Sequence, residues 1–126
     1  MSAKKYDLGE RTFKFSQELI SFCSRAPKNQ INNPIISQLV RAGTSIGANY
    51  AEADAASTKK DFLNKLAISR KEINETKYWL RIVAGLLPEE KGVLRELFRE
   101  VQELNLIFVA IIRKGRGNLD NGKSDI

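Results

Sequence analysis

The stretch FLNKLAISRKEINETKYWLRIVAGLL, residues 62–87, decides the fold. Phe62, Leu66, Ser69, Ile73, Thr76, Leu80, Val83 and Leu87 recur every three or four positions, the period of one helical face. No part of the chain alternates with the two-residue period of a half-buried strand. The pattern predicts a helix over 58–87, about eight turns, capped by Ser57, with Lys59, Lys60 and Asp61 in its first turn. Downstream, Pro88 fits the first position of a fourth helix, with Glu89 and Glu90 near the positive end of its dipole. Val93, Leu97, Val101, Leu104, Phe108 and Ile111 carry that helix over 88–114. Upstream, Asn33-Pro34 pairs a capping amide with a proline at the first helical position and opens a helix over 34–55. Its apolar face is Ile35, Leu39, Ala42, Ile46, Tyr50 and Ala53. Gly43 and Gly47 lie beside that face, where each lowers helix propensity and close approach of a neighbour is a physical reason for it. The first helix, 7–26, has Asp7 as cap, Glu10 in a capping-box position and the stripe Leu8, Thr12, Phe15, Leu19, Phe22 and Ala26. Pro27 ends it.

Such a chain is all-α, an antiparallel up-down-up-down four-helix bundle over 1–114. Residues 115–126, rich in glycine and polar side chains, are expected to form a mobile polar tail. The 126 residues fit one domain, and 21 Lys+Arg against 15 Asp+Glu leave a net charge of +6. There is no histidine, which removes Ser-His-Asp and Cys-His catalysis, His-containing zinc sites and the Glu-x-x-His di-iron site. The single cysteine, Cys23, reads as a small buried hydrophobe. No apolar run approaches the roughly 18 residues of a membrane span. The expectation is a soluble, cytoplasmic protein that uses no membrane, no metal and no cofactor.

Two surfaces exceed what a bundle core requires. On the second helix Gln38, Arg41, Ser45, Asn49 and Glu52 fall along one edge, an arc of roughly 80° for the last four. Ser and Asn are poor mid-helix residues, so this edge reads either as a polar seam toward a helix, a subunit or RNA, or as a solvated face. On the third helix Ile68, Glu72, Glu75, Trp79, Ile82 and Leu86 form a second stripe, read either as contact with a second neighbouring helix or as an oligomer interface. The fourth helix supports the interface reading, because Leu94, Phe98, Ile107, Val109 and Ile112 widen its apolar arc and Leu106 lies outside it. Lys59, Lys60, Lys65, Arg70, Lys71, Lys77 and Arg81 on the third helix, with Arg113, Lys114 and Arg116 closing the fourth, are candidates for phosphate contact. The competing reading is a solvated face diluted by Asp61, Glu72 and Glu75.

Three segments then carry a resemblance: residues 6–13 (Tyr6 to Phe13), 38–52 (Gln38 to Glu52) and 69–80 (Ser69 to Leu80). In this order the chain resembles the four-helix-bundle proteins encoded in intervening sequences of bacterial 23S rRNA genes, also called S23 ribosomal proteins. The motif positions present are Arg41, Ala42, Ser45, Ile46, Asn49, Ala51 and Glu52, and the resemblance spans residues 6–112. It implies the same bundle and a ring-shaped homopentamer. It also implies kinship with distant bundles that serve reverse transcriptases as RNA-binding accessory subunits. Where members often place a glycine after the motif, this chain has Ala53.

The expected function is therefore a non-enzymatic homo-oligomer that binds RNA or a nucleoprotein partner through a basic surface. The alternative is a protein-interaction scaffold without nucleic-acid binding. An enzyme is the least supported class, because Glu52, Ser45 and Arg41 supply no activated nucleophile.

Overall fold

The structure, a computed structural model, describes residues 7–120, with side chains through 117. Four α-helices follow one another: α1 Leu8–Arg25, α2 Asn32–Asp54, α3 Lys59–Leu86 and α4 Lys91–Asp120, with a 3-10 turn at Pro88–Glu90 before α4. Their contacts run antiparallel at every step. Gly43 and Gly47 of α2 meet Leu19 and Thr12 of α1 in reverse order. Ser69 of α3 donates to the Ile46 carbonyl of α2 at 3.0 Å, while Lys65 reaches Glu52 and Glu72 reaches Arg41. Gly115 of α4 lies on Leu63 of α3, and Phe98 lies under Lys77. Arg11 closes the bundle by pairing with Glu100 and Glu103 of α4 at 2.8 and 3.0 Å.

All the expected stripe residues of α1 and α3 are buried, and so is that of α2 except Ile35, which is half-buried. Phe108 of α4 meets Tyr50 of α2 edge-on at 6.1 Å. The three buried hydroxyls of these stripes are all satisfied: Thr12 and Thr76 donate to carbonyls one turn back and Ser69 crosses to α2.

The two α2 glycines are close-approach positions. An added Cβ at Gly43 would sit 2.1 Å from Leu19 Cδ2, and at Gly47 3.2 Å from Thr12 Cβ.

Several boundaries differ from the sequence reading. Asp7 stands before α1 in the left-handed region, φ 52°, and its carboxylate makes no capping bond; its carbonyl accepts from Arg11 N instead. The start of α2 is capped by Asn29 rather than Asn33. Asn29 Oδ1 accepts from Asn32 N at 2.7 Å, and the Asn33 amide oxygen accepts from Asn29 N, so the helix begins before Pro34. Thr58, not Ser57, caps α3 through Asp61 N at 3.1 Å. On α4, Val93 is exposed and Leu94 takes its place in the core. Both residues lie within α4, Val93 four and Leu94 three residues before Leu97, and a helical face admits either step, so the apolar stripe alone does not choose between them.

The largest difference is at the end of α4. The expected tail starts at 115, yet the helix continues through Asp120, and Gly115 packs against Leu63 of α3. The remainder of that expected tail, 121–126, lies outside the described residues.

Burial of Cys23 in α1 pushes its thiol up to about 11. A raised thiol favours the folded state while it stays neutral. That contribution is complete below about pH 8.5, the ordinary thiol value, and is lost as pH climbs toward 11. Cys23 is expected to resist a disulfide reagent at pH 8 in the native protein and to react at once in denaturant; equal rates in both conditions would contradict its burial.

Candidate functional site

The α2 edge and the second stripe of α3 are one surface. Arg41 joins them, and all three of its guanidinium nitrogens are engaged: Nε donates to Gln38 Oε1 at 3.0 Å, one terminal nitrogen to Glu72 at 3.3 Å, and the other to Glu75. Glu75 Oε2 also accepts from Trp79 Nε1 at 3.0 Å, and the Tyr78 ring stands edge-on to Trp79. At the other end of the edge, Lys65 pairs with Glu52 at 3.0 Å.

Between these anchors the small polar residues turn inward on their own helix. Ser45 donates to the Arg41 carbonyl at 2.7 Å and Asn49 to the Ser45 carbonyl at 2.9 Å. The edge is thus two ion-paired bridges to α3 with self-bonded residues between them. Beside it, Ile68 and Tyr78 are exposed and Trp79, Ile82 and Leu86 are half-buried.

The Trp79 indole and the Arg41 guanidinium hold the Glu75 carboxyl below the usual range. A depressed carboxyl contributes stability above its ordinary pKa, and the contribution is lost as pH falls through the lower native value. Trp79 is the only tryptophan. Its emission is expected to change in an acid transition centred below the usual carboxylate range, and Glu75→Gln is expected to remove that transition. A transition that survives in the variant would assign it to another group.

The basic residues separate from these acids by helix rotation. Glu72 and Glu75 lie on the α2 flank of α3, whereas Lys77 and Arg81 lie on the α4 flank, about 160° from Glu75 for Lys77. The glutamates therefore do not dilute the α4 side. Contact between Gly115 and Leu63 brings Arg113, Lys114 and Arg116 to the same end of the bundle as Lys59 and Lys60. Arg70 and Lys71 are exposed on α3 between the two ends. Lys65 stands apart, because Glu52 holds it on the α2 side.

Two cations escape a reading of the sequence: Lys91 and Arg95, which line a groove with Arg81. Their four-residue spacing, followed by a three-residue step to Phe98, is the signal that marks them as one face of α4. The glutamates of α4 point the other way. Glu96, Glu100 and Glu103 line the α1 side with Arg11, Lys14 and Arg99. No helix among the described residues is long and apolar enough to cross a membrane.

No curated protein matches the chain. Among solved structures, it is similar to a protein of unknown function from the S23 ribosomal protein family of Bacteroides thetaiotaomicron. The two share 30% identity and superpose with a TM-score of 0.76, covering 83% of this chain and 97% of that one. The model of the 23S rRNA-intervening sequence proteins matches residues 4–109, a span that holds the Arg41 bridge, the α3 stripe and most of α4. The chain belongs to the 23S rRNA-intervening sequence protein family.

Proposed function

We propose that this chain is a non-enzymatic module, assembled from several copies, that binds RNA or a ribonucleoprotein through the end of the bundle where α3 begins and α4 finishes. The observation that carries this reading is the gathering of Lys59, Lys60, Arg113, Lys114 and Arg116 at one end by antiparallel packing. None of the five makes an ion pair with a described residue. Phosphates supply what such a cluster lacks, and counterion release drives the contact. In the five-membered ring that the resemblance implies, a net charge of +6 per copy repeats to about +30.

The test is a titration against a structured RNA and a matched DNA duplex at roughly 50 and 200 mM salt. Steep salt dependence with RNA preferred is expected. A protein that stays monomeric at micromolar concentration and binds neither nucleic acid at the lower salt would end the proposal.

A second reading, a protein-interaction scaffold, is favoured by the exposed Ile68 and Tyr78 beside the half-buried Trp79. Under it, Trp79→Ala and Ile82→Asp lower the mass measured by light scattering while helicity is kept. Unchanged mass in both variants removes this face as an interface.

A further inference from the structure

At the opposite end of the α3/α4 face from the charged cluster lies a groove of about 330 Å³. Leu80, Ala84, Leu94 and Phe98 line its floor, and Leu80 and Leu94 are also core residues, so the floor is rigid. Lys77 and Arg81 stand on the α3 side and Lys91 and Arg95 on the α4 side, with Lys77 Nζ 6.0 Å from the Phe98 ring centroid. None of the four cations pairs with a described carboxylate. Glu89 and Glu90 sit in the connecting turn just before Lys91, and neither pairs with a groove cation.

We infer that this groove docks an acidic amphipathic helix from a partner protein. The cations on each rim are four residues apart, so they repeat about every 6 Å along the groove. A helix laid between them with a Leu/Phe stripe on the floor and glutamates four residues apart on both flanks meets each rim in register. The apolar floor separates this occupant from a nucleic-acid duplex, whose phosphates would satisfy the rims while its paired bases leave the floor unfilled; a single strand, which could stack bases on Phe98, is separated by competition with RNA. Cations on both rims separate it from a fatty acid, which carries one carboxylate at one end. The inference is independent of RNA binding at the other end of the face.

The probe is a fluorescein-labelled synthetic peptide of about four helical turns, with Leu and Phe at helical spacing and Glu on both flanks. Anisotropy should report saturable, salt-sensitive binding. The double variant Arg81→Glu/Arg95→Glu, which alters only exposed side chains, should weaken it about tenfold or more. Ala84→Glu, which places an acid on the floor, should weaken it as much, with circular dichroism confirming the fold. Lys59→Glu/Lys60→Glu should leave peptide binding unchanged, and an excess of structured RNA should not displace the peptide.

Absence of saturable binding overturns the inference, as does binding that neither groove variant alters. Displacement by stoichiometric RNA would assign the groove to nucleic acid instead. A fall in the light-scattering mass of unliganded Ala84→Glu would assign it to a second copy of this chain. Either result overturns the partner helix, and neither bears on whether the charged end binds RNA.

Discussion

Gly43→Ala is expected to destabilise the bundle by about 1–3 kcal/mol, although alanine is the better helix former by about 1 kcal/mol. The reason is contact. The new Cβ would lie 2.1 Å from Leu19 Cδ2 and 3.4 Å from Phe15 Cε2. Leu19 and Phe15 are both fully buried, so the methyl has no empty space to turn into and α1 must move off α2. Destabilisation should appear as a Tm lowered by several degrees. Gly85→Ala is the control, because a Cβ there meets nothing within 4 Å. It should stabilise by up to about 1 kcal/mol, since only propensity and chain entropy change. Adding Leu19→Ala to Gly43→Ala removes the clashing methyl, so the double variant should be less destabilised than the sum of the two singles. A Gly43→Ala protein as stable as the parent would mean that α1 and α2 do not need this approach.

The approach of α1 to α2 is legible in the sequence as a pair of glycines beside an apolar face, and so are the core stripes of α1 and α3. A stripe repeated over many turns averages out local accidents, so its face survives an error of one or two residues at an end. The caps have no such averaging. Asn29 takes the place of Asn33, and Thr58 that of Ser57, because the choice among neighbouring capping residues rests on the backbone path entering the helix. Val93 and Leu94 exchange roles for a related reason: at the first turn of α4 both the four-residue and the three-residue step back from Leu97 fit one face, and no earlier turn of the stripe decides between them.

Surfaces are harder to read than the core, because a stripe on one helix does not say which neighbour it faces. Gln38, Arg41 and Glu52 on α2 and Glu72, Glu75 and Trp79 on α3 look like two surfaces in the sequence, and Arg41 makes them one. The same rotation moves Glu72 and Glu75 away from Lys77 and Arg81, which the order of charges along α3 does not reveal. By composition Gly115 is a helix breaker. Its role as a packing point for Leu63 exists only once α3 and α4 lie side by side.

The meeting of Gly115 with Leu63 yields the second large effect. Reversing Lys59, Lys60, Arg113 and Arg116 to glutamate is expected to lower RNA affinity by orders of magnitude and to reduce the salt slope by about four, one for each phosphate left without its cation. Charge reversal alone does not separate a placed cluster from a generally basic protein, because it also changes net charge by twice the number of residues altered. Gly115→Leu does separate them. It keeps every charge, but its Cβ would come 2.6 Å from Leu63 Cδ2, against a side chain that is buried. The last turns of α4 must then leave α3, carrying Arg113 and Arg116 away from Lys59 and Lys60. If the cluster binds as a unit, Gly115→Leu should weaken RNA binding about tenfold or more and flatten the salt slope, with the far-UV signal of the bundle nearly intact. If it binds RNA as the parent does while the charge reversal fails, net charge governs the affinity and the meeting of the two helix ends does not.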